Sequence, residues 1–310
     1  MLKILHLDEN HELLKNELSN LGFENCFDFD SSKKEIENKL EKYHGIIIRS
    51  RITIDRAFLE KGINLKFIAR VGSGTENIDV VYANKKQIKI ISAGEANANA
   101  VSEHALGMIL SLKNRILKSN NEIKEGLWLR EKNRGIEIKG KTVGIIGYGK
   151  TGKSFAEKLN ALGANVLCND IVPNKGDNYA MQVSINEIKE KSNIISLHTN
   201  LNETSLFLIN NYFIDECKNP FYIINTSRGE CLKTSDLVEG LKSGKILGAC
   251  LDVIENESKS FEEIDSNSDL DYLKNSKNVI ITPHIAGWTY ESKVNLSKVI
   301  LEKIKHMFDL

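Results

Sequence analysis

Short apolar runs of strand length, each followed by a stretch of helical spacing, recur along almost the whole chain, and this alternation limits the fold more than any other feature. KILHL (3–7) precedes a helix over 12–21. GIIIRS (45–50), KFIARVG (66–72) and IKIIS (88–92) are separated by helical spacing around 33–42, 55–61 and 79–87. A second series follows: KTVGIIG (141–147), a helix over 151–162, then NVLCND (165–170), NIISLH (193–198), YIINTS (222–227), LGACLDV (247–253) and NVIITPH (278–284). Strands separated by helices imply parallel sheets with right-handed crossovers, an α/β layer structure. A chain of 310 residues is long for one hydrophobic core, so two domains are expected. Residues 99–125 hold the longest run of helical period and are expected to join or brace the domains. Residues 130–141 read as a surface loop, the acidic 255–277 as a loop with one short helix, and 289–308 as a closing helix.

Composition excludes several classes of function. The 42 Lys and Arg balance 42 Asp and Glu, so no net charge draws the chain to nucleic acid or an anionic membrane. The opening MLKILHLDENHE is too soon charged for a signal peptide, and no stretch approaches the ~20 apolar residues of a membrane span. Cys26, Cys168, Cys217, Cys231 and Cys250 are scattered with no CxxC pair, which indicates neither a disulfide framework nor a metal site. The cytoplasm is the expected setting.

Residues 147–152, Gly-Tyr-Gly-Lys-Thr-Gly, follow an apolar strand and open an amphipathic helix, the context of a dinucleotide fingerprint. Gly147 allows the tight turn, Gly149 lets backbone approach a pyrophosphate, and Gly152 packs helix against strand. The helix N-terminus offers N–H groups to the phosphates. The run continues to Lys153-Ser154, which also satisfies GxxxxGK[ST], the phosphate loop of triphosphatases, so the motif alone leaves both readings open. Asp170, ending the next strand, favours the dinucleotide: a carboxylate there accepts the ribose hydroxyls and repels the extra phosphate of NADP.

Oxidising an alcohol by hydride loss needs a base, a cation for the oxygen and a fixed cofactor. INTSRGE (224–230) offers Arg228, whose planar fork suits a carboxylate. LDVIENE (251–257) offers Asp252, Glu255 and Glu257. ITPHIAG (281–287) offers His284, a natural acid–base that a neighbouring carboxylate would orient and charge. Singly, each of these is more often a surface ion pair or a solvated loop residue. Together they follow strand ends downstream of the glycine loop, where open α/β sheets bind ligands.

With these segments in hand, the sequence resembles the D-isomer-specific 2-hydroxyacid dehydrogenase family. The likeness runs through RVGSGTENID (70–79), NAVSEHALGMIL (99–110), GKTVGIIGYGKTGK (140–153), INTSRGE (224–230), GACLDVIENE (248–257) and TPHIAGWTYES (282–292). It implies two Rossmann-like, flavodoxin-like domains: a substrate domain from 1–98 and 288–310, with an NAD domain, 99–287, inserted. It implies Arg228, Glu257 and His284 as catalytic residues. His284 would take the 2-hydroxyl proton, Glu257 would hold its ring, and Arg228 would bind the substrate carbonyl and carboxylate. Gly147, Tyr148, Gly149, Lys150, Thr151, Gly152, Asp170, Thr199, Thr226, Asp252 and Gly287 would line the NAD site, and Ser73 and Gly74 would bind the substrate carboxylate. A homodimer through the NAD domain is implied, along the helix that 99–120 resembles. No nucleic-acid or membrane partner is expected.

Within the family, HGIIIRS (44–50), FIARVGSGTENID (67–79) and GLWLRE (126–131) look most like phosphoglycerate dehydrogenases. Arg49, Arg70 and Arg130 then become candidates for the phosphate and carboxylate of 3-phosphoglycerate, the entry to serine biosynthesis. Glyoxylate or hydroxypyruvate reduction is the alternative. More distant ones are a non-catalytic NAD-sensing member and the triphosphatase. Where the family often has Glu-x-Glu-Pro, this chain has Glu255-Asn256-Glu257-Ser258, which loosens the expected loop around Glu257, and the stretch to His284 is long. With the chain stopping at 310, no regulatory amino-acid-binding domain and no serine feedback through one are expected.

Overall fold

The computed structural model describes residues 1–255, 257 and 267–310. It divides into two units, Met1–Asn97 with Trp288–Leu310, and Ala98–Gly287. Asn256 and Ser258 of the departing Glu-x-Glu-x segment lie outside the described residues.

In the first unit β1 (Lys3–His6), β2 (Glu24–Phe27), β3 (Gly45–Ile48), β4 (Phe67–Arg70) and β5 (Lys89–Ser92) form one sheet. Its order is β2-β1-β3-β4-β5 with every pairing parallel, the flavodoxin-like order. Helices α1 (Glu12–Asn20), α2 (Lys33–Glu37), α3 (Arg56–Lys61) and α4 (Val80–Lys85) connect the strands. The run Ile46-Ile47-Ile48 shows why β3 is apolar throughout. Side chains alternate across a strand. Ile47 packs with Ile4, Leu14 and Leu18 on one face, while Ile46 and Ile48 join Leu5, Ile36 and Phe58 on the other. Both faces are covered, so no polar position survives. Ser32 opens α2 with a capping box, and the Asp55 and Asp79 carboxylates cap α3 and α4, so the helix starts follow from local sequence.

The second unit contains β6 (Thr142–Ile146), β7 (Asn165–Asn169), β8 (Met181–Gln182), β9 (Ile194–Leu197), β10 (Phe221–Asn225), β11 (Ile246–Leu251) and β12 (Val279–Ile281). They run parallel in the order β12-β11-β10-β9-β6-β7-β8. Its helices are α5 (Ala98–Lys113), α6 (Ile116–Lys124), α7 (Lys150–Ala161), α8 (Ile185–Lys191), α9 (Asn211–Glu216), α10 (Thr234–Ser243) and α11 (Ser268–Asn275). Met108 of α5 and Phe155 and Leu159 of α7 cover Ile145, Ile194 and Ile224 on one face. Ile188, Phe213, Leu237 and Leu273 from α8, α9, α10 and α11 cover Ile195, Ile223 and Ala249 on the other. Strand order reverses between β9 and β6, and a reversal of this kind opens a crevice at the carboxyl ends of the strands.

The chain then returns to the first unit as α12 (Tyr290–Phe308), started by the Thr289 hydroxyl accepting from the Ser292 N–H. Ile300, Leu301 and Ile304 bury against the Ile4–Leu14 face. At about 1.5–3 kcal/mol for each buried side chain, this contact fastens the C-terminal segment to the first sheet.

Two expectations need correcting. The helix expected as one element over 99–125 is two. Arg115 takes φ +56° between α5 and α6, and the Lys113 carbonyl, released from the helix, accepts the Ile136 N–H. No glycine or proline marks the break. Expected loops and connectors also hide β2, β8, α8, α9 and α10.

Candidate active site

The glycine loop sits at the reversal. Gly147 has φ +90°, and a Cβ on it would meet the His198 carbonyl oxygen, at the end of β9, at 2.5 Å. A Cβ on Gly152 would meet the Gly147 carbonyl oxygen at 2.2 Å, so α7 starts directly against the turn. At Gly149 the same position is open space. Two of the three glycines are therefore demanded by packing, and the third leaves the backbone bare where a phosphate group would approach. No side chain caps α7, so the N–H groups of its first turn remain directed out of the helix.

Asp170 follows β7; its carboxylate accepts the Tyr148 N–H at 2.7 Å and the Val172 N–H at 2.9 Å. The Thr226 hydroxyl, just past β10, is buried with no hydrogen-bond partner among the described residues, a polar group prepared for a ligand. These features fit a dinucleotide. Thr199 instead pairs its hydroxyl with the Cys231 thiol at 3.4 Å. Lys153 and Ser154, which the triphosphatase reading needs, are engaged elsewhere: Lys153 pairs with Asp177 at 2.7 Å and Ser154 with Ser102 of α5 at 2.9 Å.

Three strand ends build the second half of the site. At the end of β10, the buried Asn225 side chain accepts the Ser227 N–H at 3.1 Å and hydroxyl at 2.9 Å and donates to the Arg228 carbonyl at 2.9 Å. It thereby folds the turn that carries Arg228, whose own Nη1 donates to the Ser227 carbonyl at 2.7 Å. A Cβ on Gly229 would lie 2.1 Å from the Ile254 carbonyl group, so this turn runs backbone against backbone with the segment after β11. That segment holds Glu257. Its Oε1 accepts the Ile254 N–H at 2.5 Å, and its Oε2 pairs with His284 Nδ1 at 2.7 Å.

His284 stands past β12 at φ +53°, a left-handed conformation uncommon for a non-glycine residue. Asp252 holds it there. The Asp252 carboxylate, almost fully buried, accepts the Thr282 hydroxyl at 2.6 Å and the N–H groups of Ile285 at 2.9 Å and Ala286 at 2.8 Å. Its carbonyl accepts the His284 N–H at 2.8 Å. His104 of α5 adds a 2.9 Å bond from Nε2 to Thr282 Oγ1. The turn ends at Gly287. Four bonds to one aspartate over-determine a strained turn, the usual way such strain persists.

In the first unit, Arg49 directly follows β3. Its N–H donates to the Asp8 carboxylate at 2.6 Å, and its guanidinium lies 4.1 Å from the Trp288 ring centre. The side chain makes no ion pair among the described residues, and burial lowers its pKa while Asp8 opposes that. Arg70 ends β4, and its Nη1 fills the space a Cβ on Gly72 would need. Ser73, exposed in the next loop beside Gly74, donates to Asn97 at 3.0 Å. Arg130, in the second unit, is exposed ahead of a 3-10 turn at Glu131–Asn133.

Sequence reasoning missed Asn225, Asp177, His104 and Trp288. Asn225 and Trp288 stood inside quoted motifs, and either was recoverable as an uncommon side chain beside a candidate residue. Asp177 lies in a polar loop with no periodic or motif signal.

The family model for D-isomer specific 2-hydroxyacid dehydrogenase, NAD binding domain, matches residues 106–286. A hydroxypyruvate reductase of Thermotoga maritima is 34% identical over 272 residues, covering 88% of this chain and 87% of that protein. A D-3-phosphoglycerate dehydrogenase of Archaeoglobus fulgidus is 32% identical over 279 residues, covering 89% of this chain; the match spans only about half, 51%, of that longer protein. Among solved structures, a D-lactate dehydrogenase of Aquifex aeolicus, complexed with NAD and lactic acid, superimposes with a TM-score of 0.84 at 27% identity, covering 99% of this chain and 95% of that one. The match covers the glycine loop and all three strand-end segments. The chain belongs to the D-isomer specific 2-hydroxyacid dehydrogenase family, and its second unit carries that family's NAD-binding domain.

Proposed function

We propose that the protein transfers a hydride between NAD and C2 of a D-2-hydroxy acid, with His284, Glu257 and Arg228 as its catalytic residues. The observation that carries this is the 2.7 Å pair between His284 Nδ1 and Glu257. With Nδ1 held by Glu257, we assign to Nε2 the exchange of a proton with the substrate oxygen. Glu257 fixes the ring and stabilises its charged form when the proton arrives. Arg228 binds the oxygen and the carboxylate through its fork. NAD, when bound, supplies the hydride acceptor or donor; Gly149, Lys150, Thr151 and Gly152 would hold its pyrophosphate, Asp170 its ribose, and Thr226 its nicotinamide end. Asp252 acts through the turn it holds, since its carboxylate already bonds Thr282, Ile285 and Ala286.

The finer reading assigns 3-phosphoglycerate, with Arg49, Arg70 and Arg130 as cations for its anionic groups and the segment at Ser73 and Gly74 for its carboxylate. Arg49, part-buried with an indole against its face and no ion pair among the described residues, is the observation in favour. Reduction of hydroxypyruvate or glyoxylate is the second reading, favoured by the match over 87% of a protein named as a hydroxypyruvate reductase. We assign the first unit to the substrate and read the protein as a homodimer through the α5–α6 side. There Ile116, Leu117, Ile123 and Trp128 stand exposed, and α6 buries no residue within the chain. Steady-state NADH oxidation with phosphohydroxypyruvate, hydroxypyruvate, glyoxylate and pyruvate tests the assignment. The first reading expects the highest kcat/KM with phosphohydroxypyruvate. No turnover of any of the four overturns the enzymatic reading.

A further inference from the structure

Asp177 lies between β7 and β8, outside every motif of the sequence, yet three groups converge on its carboxylate. The Tyr148 phenol donates to Oδ1 at 2.7 Å, the Tyr179 N–H donates to the same oxygen at 2.9 Å, and the Lys153 ammonium meets Oδ2 at 2.7 Å. Tyr148 is the second residue of the glycine loop and is 3% exposed; Lys153 is in the first turn of α7. The Tyr148 N–H meanwhile donates to Asp170. Two carboxylates of one connection therefore grip the same loop residue, one by its backbone and one by its hydroxyl. Burial alone would raise the Asp177 carboxyl, but the bonds from Lys153, Tyr148 and the Tyr179 N–H overrule it and hold it down at about 2, so it is charged at every working pH.

The Lys153 contact has no obvious stabilising purpose. Its side chain is 54% exposed, and pairs in that setting contribute little to stability. A lysine in the first turn also opposes the helix dipole. A cation at that place is, however, well suited to a phosphate. Paired at contact distance with a carboxylate, it presents to an approaching phosphate the weaker field of an ion pair in place of that of a lone cation.

We propose that Asp177 is a specificity-determining residue for the dinucleotide: it withholds Lys153 from the 2′-phosphate of NADP and, through Tyr148, keeps the Asp170 carboxylate placed for the ribose hydroxyls of NAD. This rests on the reading of the glycine loop and Asp170 as the NAD site. Asp177 is a positioning residue, since it acts through Lys153 and Tyr148.

The test is direct titration of NADH and NADPH into the full chain, following nucleotide fluorescence, for wild type, Asp177→Ala, Lys153→Met and the double variant. In Asp177→Ala the NADH:NADPH affinity ratio falls about tenfold, with NADPH bound more tightly than by wild type. In the double variant the NADPH gain disappears while the NADH loss stays. Lys153→Met alone leaves the ratio within about twofold. Should Asp177→Ala fail to fold, Asp177→Asn keeps the shape and an acceptor for Tyr148 while removing the charge, and the ratio is expected to fall through the NADPH gain alone. A wild type that prefers NADH but keeps its ratio in both Asp177 variants overturns this proposal alone. So does an NADPH gain that survives loss of Lys153. A wild type that binds both cofactors alike removes the reading of Asp170 and this one with it.

Discussion

The glycine loop and the histidine turn both lie past strand ends of the same sheet, yet they are built in opposite ways. The glycine loop is eight consecutive residues, 147–154, and its shape follows from where a Cβ cannot go. The histidine turn draws on three segments scattered over 225–287, and its strained residue, His284, is non-glycine and held by Asp252. A loop shaped by missing atoms presents bare backbone to a ligand. A turn shaped by added bonds fixes one reactive side chain. The first should therefore control cofactor binding and the second turnover, and mutations can separate the two.

The largest effect is expected at the histidine. His284→Ala removes the acid–base and should lower kcat by about 10²–10⁴-fold with the affinity for NADH little changed; retained turnover would end its catalytic assignment. Glu257→Gln keeps the shape but loses a charge-assisted bond worth about 1.5–3 kcal/mol, so kcat should fall roughly 10- to 150-fold. Asp252→Asn turns one acceptor into a donor facing the Ile285 or Ala286 N–H. Leaving such a group unsatisfied costs about 1–3 kcal/mol, and the loss should appear in kcat. A rise confined to the KM for NADH would instead return Asp252 to the cofactor.

The opposite split tests the glycine loop. Gly147→Ala forces a Cβ toward the His198 carbonyl and strains a φ of +90°. The KM for NADH should rise about tenfold or more, equivalent to about 1.4 kcal/mol, with kcat at saturating NADH within a few-fold of wild type. If kcat collapses with unchanged KM, the separation between the two regions does not hold.

The same contrast explains what could be read in advance. Ten of the twelve strands among the described residues announce themselves because runs such as Ile46-Ile47-Ile48 are buried on both faces. The other two, β2 as ENCF and β8 as MQ, are short edge strands with polar positions. The break at Arg115 carries no glycine or proline, because packing of the 133–136 segment on Lys113 enforces it from afar. In the site, Arg228, Glu257 and His284 are legible as residue types with obvious chemistry at strand ends. Asn225 and Asp252 act on backbone N–H groups of segments up to tens of residues away, and residue type alone does not announce that. Asp177 shows the limit: its meaning lies in Tyr148 and Lys153, which precede it across most of α7 and the strand β7.

The smallest effect on turnover concerns what lies beneath the glycine loop. His198 is part-buried, its Nε2 pairs with the Ser196 hydroxyl at 2.8 Å, and its buried Nδ1 has no partner among the described residues. Burial pushes its pKa down to about 3, so the native imidazole stays neutral while the unfolded one protonates near ~6.5. The folded state thus binds fewer protons than the unfolded state between these values. Its contribution is complete above about pH 6.5 and is lost as pH falls toward 3. Going from pH 7 to pH 5 should therefore cost about 2 kcal/mol through this group alone. Urea unfolding at the two pH values, for wild type and His198→Asn, isolates it: the variant should lose about 2 kcal/mol less on acidification. Because the His198 carbonyl is the floor under Gly147, NADH affinity should weaken over the same acid range in wild type more than in the variant. Equal acid sensitivity in the two proteins would show that the buried imidazole is not the acid-labile support of the loop.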